Sequence, residues 1–419
     1  MTGTSTACCI AGGGPAGMML GLLLARQGVD VVVLEKHADF FRDFRGDTVH
    51  PSTLNILAEI GLAEAFLEVP HQEVAKLGVA TDDGNYAFAD FGRLPGAFPF
   101  IVFMPQWDFL TFLAEQARAY PCFQLRMGTE ATGLIREGGA VRGVRYRTGD
   151  GVDGEIRARL TVAADGRHST LREAADLRPR EFGAPMDVLW FRLPKLPGDD
   201  GPSFGGLGKL TRGRMLVLID RGDYWQTAYL VPKGGFDAVR AAGMESVRAD
   251  LDRLLPGMKA AVAGLRDWSD VSVLSVQLNR LARWHLPGLL LIGDAAHAMS
   301  PIGGVGINLA VQDAVAAARL LGETFAGGGP NPAVLASVRS RRLLPTAVIQ
   351  LVQRQIQQRF LTRILAGDQP VSTPRLLRLL QRLPALQGVT ARIVGLGILP
   401  EHAGAPSKVR HQGLDPRTR

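Results

Sequence analysis

Three glycine-bearing segments, far apart in the chain, hold the residues with the clearest chemistry. The first is Ile10-Ala11-Gly12-Gly13-Gly14-Pro15-Ala16-Gly17. Gly12 permits a tight turn after a strand, Gly14 lets backbone approach a pyrophosphate, and Gly17 allows a helix to pack closely on that strand. Pro15 and Ala16 open the helix, whose first N–H groups and positive dipole end suit phosphate. Glu35, followed by Lys36, closes the next apolar run, where a carboxylate can accept hydrogen bonds from ribose hydroxyls. The second segment is Asp165-Gly166-Arg167-His168-Ser169. The third is Gly293-Asp294-Ala295-Ala296-His297, followed by Pro301 and Gly303-Gly304-Val305-Gly306-Ile307-Asn308. Its glycine-rich turn before a helix offers N–H donors to negative charge. Asp294 suits hydroxyls rather than phosphates, or else caps a helix. Together the three segments describe a chain returning repeatedly to one dinucleotide.

The elements that must position these loops are legible. Residues 5–11 form a short buried strand, 15–27 a helix ended by Gly28, and 31–34 a second strand. That is a βαβ unit of mononucleotide-binding size. A helix follows Pro51, and another runs from Gln106 to Ala119. Residues 123–165 alternate strands and turns into the second loop. Residues 73–103 and 182–278 are β-rich, with one helix near 236–255, and suggest an antiparallel sheet inserted into the first fold. Leu289–Ile292 is a buried strand before the third loop, His297 falls on a helix after Asp294, and Leu309–Phe325 is helical. Beyond Gly327 the chain is mostly helical. There Leu343, Leu344, Val348, Leu351 and Val352 read as a buried face, with arginines on the solvated side.

Composition narrows the classes. With 46% hydrophobic residues, 419 residues can bury a substantial core. The net charge of +7 suits an acidic ligand, but its arginines are scattered and no nucleic-acid motif accompanies them. Three cysteines cannot build a disulfide framework, and Cys8 and Cys9 read as small core residues. No metal-ligand spacing occurs, so no metal is expected. No apolar run approaches the roughly 20 residues of a bilayer span. A cytoplasmic location is expected, and the oligomeric state is open.

On these three motifs, in this order, the chain resembles the flavoprotein aromatic hydroxylases, the single-component FAD-dependent monooxygenases related to para-hydroxybenzoate hydroxylase. The likeness covers roughly residues 5–400. It implies an α/β fold: a Rossmann-like FAD-binding domain (βαβ plus meander), an inserted antiparallel β-sheet substrate domain and a helical C-terminal region. The expected FAD-binding parts are 1–72, 104–181 and 279–330. The substrate domain would comprise 73–103 and 182–278, and the C-terminal region 331–419. The likeness further implies FAD contacts from Gly12, Gly14, Pro15, Ala16, Gly17, Glu35, Lys36, Asp165, Gly166, Gly293 and Asp294. Pro301 would lie beside the flavin ring, with Gly304, Gly306, Ile307 and Asn308 presenting backbone to it. Arg45 and Gln106 resemble the family residues that reach the cofactor, and backbone near Ala131 would meet the adenine.

The implied reaction consumes NADPH or NADH and O2 and hydroxylates an aromatic or polyketide-like small molecule through a flavin C4a-hydroperoxide. An oxidoreductase of the same fold without oxygen insertion is the alternative. Catalysis rests on the cofactor, so candidate catalytic side chains are few. Asp47 and His50 could move a proton, or Asp47 could support the Arg45 loop while His50 merely starts a helix. Tyr224 or its neighbour Trp225 could face a substrate ring, as could Trp190, or these could pack internally. His297 reads as a structural histidine.

Overall fold

The computed structural model describes residues 4–41, 48–197, 208–211, 213–365, 367 and 375–404. Arg45 and Asp47 lie outside the described residues. The Thr4–Ala11 strand is buried from Cys8 to Ala11. Side chains buried on both faces are what a central parallel strand requires. It lies between Val31–Leu34 and Asp153–Ala163, parallel to both, with Ile10 opposite Val33 and Val162. Phe123–Arg126 and Leu289–Leu291 extend the parallel sheet at either side. Thr129–Glu137 and Ala140–Thr148 add an antiparallel meander through Asp153–Ala163. Cys8 and Ile10 pack with the Pro15–Arg26 and Gly306–Leu321 helices, whereas Cys9 and Ala11 pack with the meander. Burial pushes the Cys9 thiol up to about 12, which suits a core residue rather than a nucleophile.

A second, seven-stranded sheet runs in the order Ser272–Leu274, Met186–Pro194, Tyr224–Pro232, Arg214–Asp220, Gly208–Thr211, Lys76–Thr81, Gly84–Asp90. It is not purely antiparallel as expected. Gly208 and Lys209 run parallel to Val79 and Ala80. These strands come from two separate excursions of the chain, so no hairpin fixes their direction. The single helix expected near 236–255 is two, Phe236–Ala242 and Met244–Leu254. Gly243 lies between them at φ 87°, which no α-helix accommodates.

The helical run Ile302–Gly327 departs from another expectation. Its 26 residues are long and apolar enough to cross a bilayer, but 78% of the apolar window is buried inside the fold. It is the helix against which the first sheet's core is built. The following Pro332–Ile356 helix starts at Asn331, whose side chain accepts the N–H groups of Ala333 and Val334. Its orientation departs from the sequence reading in part: Leu343 and Val348 are half-buried and Arg341 and Arg354 exposed, but other positions differ. Leu344 and Leu351 are 56% and 53% exposed, while Arg342, Gln350 and Gln353 are buried. Arg375–Arg382 and Pro384–Gly395 complete the helical region.

Candidate active site

All three glycine segments border one cavity of about 1180 Å3, which continues to the second sheet and the C-terminal helices. That exceeds the roughly 300–1000 Å3 of an ordinary single-ligand pocket. At one end the wall is mostly backbone. Gly12 sits at φ 103°, and a Cβ there would meet the Ala164 carbonyl oxygen at 2.3 Å. At Gly17 a Cβ would lie 1.9 Å from the Gly12 carbonyl oxygen. Glycine at both positions therefore lets the helix seat against the turn. A Cβ on Gly14 would meet nothing within 4 Å. Pro15 begins the helix and has no N–H, so the first-turn donors near the cavity are those of its neighbours. Buried Glu35 accepts the N–H of Gly13 at 2.9 Å and that of His37 at 3.1 Å, which holds the carboxylate at the cavity edge.

Arg172 links the second and third loops. Its guanidinium donates to Ala295 O at 3.2 Å and to Arg167 O at 2.7 Å. Arg167 in turn reaches Asp294 at 3.4 Å. Asp165 accepts the Ser169 hydroxyl and the Leu171 N–H; burial pushes its carboxyl above the usual range against those bonds. The third loop departs from its expected form. Gly293–Ala295 is a single tight turn, and His297 stands just beyond it, outside any helix, with its N–H returning to the Gly293 carbonyl at 2.9 Å. Asp294 caps no helix there.

Asp313 holds that turn from below. Its carboxylate accepts Gly293 N–H at 3.1 Å, lies 2.6 Å from His297 Nε2, and accepts Arg342 Nε at 2.9 Å, all in the core. Burial opposes ionisation of Asp313, but His297 and Arg342 outweigh it and keep the carboxyl below its usual range. Arg342 also lies 3.5 Å from Glu401, and Trp284 packs on the His297 ring. His297 is thus structural. Sequence reasoning missed Asp313 and Arg342, because charged residues on helices read as solvated.

Of the expected cofactor residues, Gly12, Gly14, Pro15, Ala16, Glu35, Lys36, Gln106, Ala131, Asp165, Gly166, Asp294, Pro301, Gly304, Gly306 and Ile307 line the cavity. Gly17 and Gly293 do not; they pack behind it. Asn308 does not line it either. Its side-chain oxygen accepts His50 N–H and the Thr53 hydroxyl, both at 2.8 Å, so it braces the helix start at Pro51. Of the two readings left open for Tyr224, packing fits its place: it is absent from the cavity wall and lies under the Arg192 guanidinium, 4.8 Å from it. Trp190 does line the cavity. His50 forms part of the wall but is fully buried, with Nδ1 2.8 Å from Val394 O. Among the described residues its Nε2 meets no partner, and burial lowers its pKa to about 4.

The far end is built of side chains. Val188, Val217 and Leu230 from the second sheet face a space also bordered by Leu361, Leu377 and Leu380. Thr390, Gln355 and Arg359 are among the few polar groups there.

Residues 5–352 match the family described as FAD binding domain, and the chain belongs to it. It is 34% identical over 399 residues to a 6-methylpretetramide 4-monooxygenase of Streptomyces rimosus, covering 93% of this chain and 92% of the relative. A pentachlorophenol 4-monooxygenase of Sphingobium chlorophenolicum is 26% identical, over 74% of this chain and 56% of that one. Among solved structures, the anhydrotetracycline hydroxylase OxyS of Streptomyces rimosus superposes with a TM-score of 0.72 at 24% identity. That match spans 94% of this chain and 76% of the other, and it establishes the shared fold. Fold, glycine loops and relatives together define an FAD-dependent monooxygenase of the flavoprotein aromatic hydroxylase family, with NAD(P)H and O2 as co-substrates. The cavity fits the cofactor: open space over Gly14, helix-start N–H groups and a fixed carboxylate at Glu35 stand in one continuous wall.

Proposed function

We propose that this enzyme hydroxylates a flat, fused-ring aromatic of polyketide type, bound in the apolar end of the cavity. The observation that carries this reading is the continuity of one cavity from the glycine loops to the Val188, Val217 and Leu230 wall. Such a chamber recognises shape and apolar surface more than charge. The 6-methylpretetramide named for the 34% relative is a compound of this kind.

FAD, when bound, accepts hydride from NAD(P)H and activates O2. The chain's residues do the rest. Gly14 and the start of the Pro15–Arg26 helix would take the pyrophosphate, and Glu35 the ribose. Backbone at Gly306 and Ile307, at the start of the Gly306–Leu321 helix, would offer N–H groups and a positive dipole end to charge on the reduced ring. Pro301 and Gly304 would lie along that ring, and Gln106 and Ala131 beside the rest of the cofactor. The second sheet would hold the aromatic in place and exclude water. A cytoplasmic setting, where NAD(P)H is regenerated, agrees with this reading.

The test is NAD(P)H consumption by the FAD-loaded protein with fused-ring and single-ring phenols at matched concentrations. Fused-ring phenols should stimulate it at least tenfold more. Equal stimulation by single-ring phenols contradicts the substrate class. No stimulation by any phenol contradicts the hydroxylase reading.

A further inference from the structure

The Pro332–Ile356 helix buries amides in its C-terminal half, where Leu351 is exposed. Gln350 and Gln353 are buried, as is Gln357 in the next turn. Spacings of three and four put them in one row. A buried amide without partners is costly, so such a row persists only where its polar atoms are used. Gln350 donates to the carbonyls of Asn279 at 2.7 Å and Ala298 at 3.1 Å. Gln353 donates to the carbonyls of Ser300 at 2.9 Å and Ile302 at 2.8 Å, and accepts Ser300 N–H at 3.2 Å. Gln357 donates to the Ser300 hydroxyl at 2.7 Å. One side chain, Gln353, therefore holds backbone on both sides of Pro301, which has no N–H of its own to anchor it.

Gln353 also lines the cavity, on the same helix as Ile349, Val352 and Ile356, which form part of its wall. It touches both the loop at the cofactor end and the helix that borders the substrate end. We propose that Gln353 is a positioning residue for oxygen transfer: it fixes the Ser300–Ile302 backbone, and so Pro301, relative to the substrate wall. This rests on the hydroxylase reading above. In a coupled turnover, one oxygen atom of O2 enters the aromatic and the other leaves as water, with two electrons from NAD(P)H. In an uncoupled turnover the same two electrons reduce O2 to hydrogen peroxide. Which outcome follows depends on alignment over less than an ångström.

The test compares FAD-loaded wild type with Gln353→Leu, Gln353→Glu and Gln350→Leu, using an aromatic that wild type oxygenates. Hydrogen peroxide formed per NAD(P)H is measured, together with FAD content, Tm and the visible absorbance change on adding the aromatic. Both Gln353 variants should raise the peroxide fraction at least fivefold and alter the absorbance change, with more than half the wild-type FAD retained. Gln350→Leu, which cuts bonds ahead of the loop, should lower Tm comparably and leave the peroxide fraction within twofold. An unchanged fraction in the Gln353 variants, or an equal rise in Gln350→Leu, overturns the proposal. If neither of these Gln353 variants folds, Gln353→Met, which keeps the side chain's length and removes the amide that holds Ser300 and Ile302, decides: a twofold rise is expected, and no rise overturns it. A wild type that binds FAD and oxygenates no aromatic overturns the hydroxylase reading and this inference with it. A coupled wild type with equally coupled variants overturns this inference alone.

Discussion

The two ends of the cavity are made of different material. At the glycine-loop end, backbone forms much of the wall, and a few local motifs in the chain set its shape. At the other end, side chains from separate strands and from helices near the C-terminus meet with no local motif behind them. A backbone site tolerates little change in residue type, because an added Cβ meets main chain. A side-chain site can be reshaped one residue at a time. One end can thus keep a single cofactor while the other is free to take different aromatics.

The sharpest way to break this contrast is Gly17→Ala. The new Cβ would stand 1.9 Å from the Gly12 carbonyl oxygen, so helix or turn must move. FAD content of the purified protein should fall below a tenth of wild type, and retention of full content would show that the turn is not held by this contact. Glu35→Ala should come next. It removes the carboxylate that fixes Gly13 and His37, and a charged hydrogen bond is worth about 1.5–3 kcal/mol. FAD affinity measured by fluorescence titration should weaken at least tenfold.

Val217→Phe should act at the opposite end. Its added bulk should raise KM for a fused-ring aromatic about fivefold and leave FAD affinity unchanged; a change in FAD affinity instead would blur the division. His50 acts on neither end's ligand but on the acid stability of the wall between them. Its folded pKa of about 4 lies below the ordinary value of 6.5, so the unfolded chain binds the proton more readily between them. Its contribution is therefore complete above pH 6.5 and is lost as pH falls toward 4. At about 1.4 kcal/mol per unit this amounts to about 3 kcal/mol. His50→Gln should flatten that part of the stability-versus-pH curve measured by urea unfolding; an unaltered slope would place the acid sensitivity elsewhere.

The same division explains what could be read from the chain. Gly12, Gly14 and Glu35 were legible because the turn, the helix start and the strand end follow one another within 25 residues. The parallel strands were legible from apolar runs such as Val31–Leu34. The face of the Pro332–Ile356 helix was not. Its leucines satisfy the usual pattern for burial, yet the bare carbonyls of Ser300 and Ile302 needed donors, and Gln353 supplied them. Asp313 escaped notice for the same reason: its partners Gly293 and Arg342 stand 20 and 29 residues away. The choice between Tyr224 and Trp190 was not legible, because a strand's sequence does not say which of its faces meets a cavity. The bracing role of the Asn308 side chain was not legible, because its partners His50 and Thr53 stand more than 250 residues away in the chain.

The central claim is that one cavity brings a flavin and a fused-ring aromatic together for oxygen insertion. Mass analysis of the product made under 18O2 by the FAD-loaded enzyme with NAD(P)H and a fused-ring phenol tests it most directly. One labelled oxygen atom per product molecule, with one NAD(P)H consumed for each, is the expected result. Product carrying oxygen from water, or product formed with no NAD(P)H consumed, would contradict it.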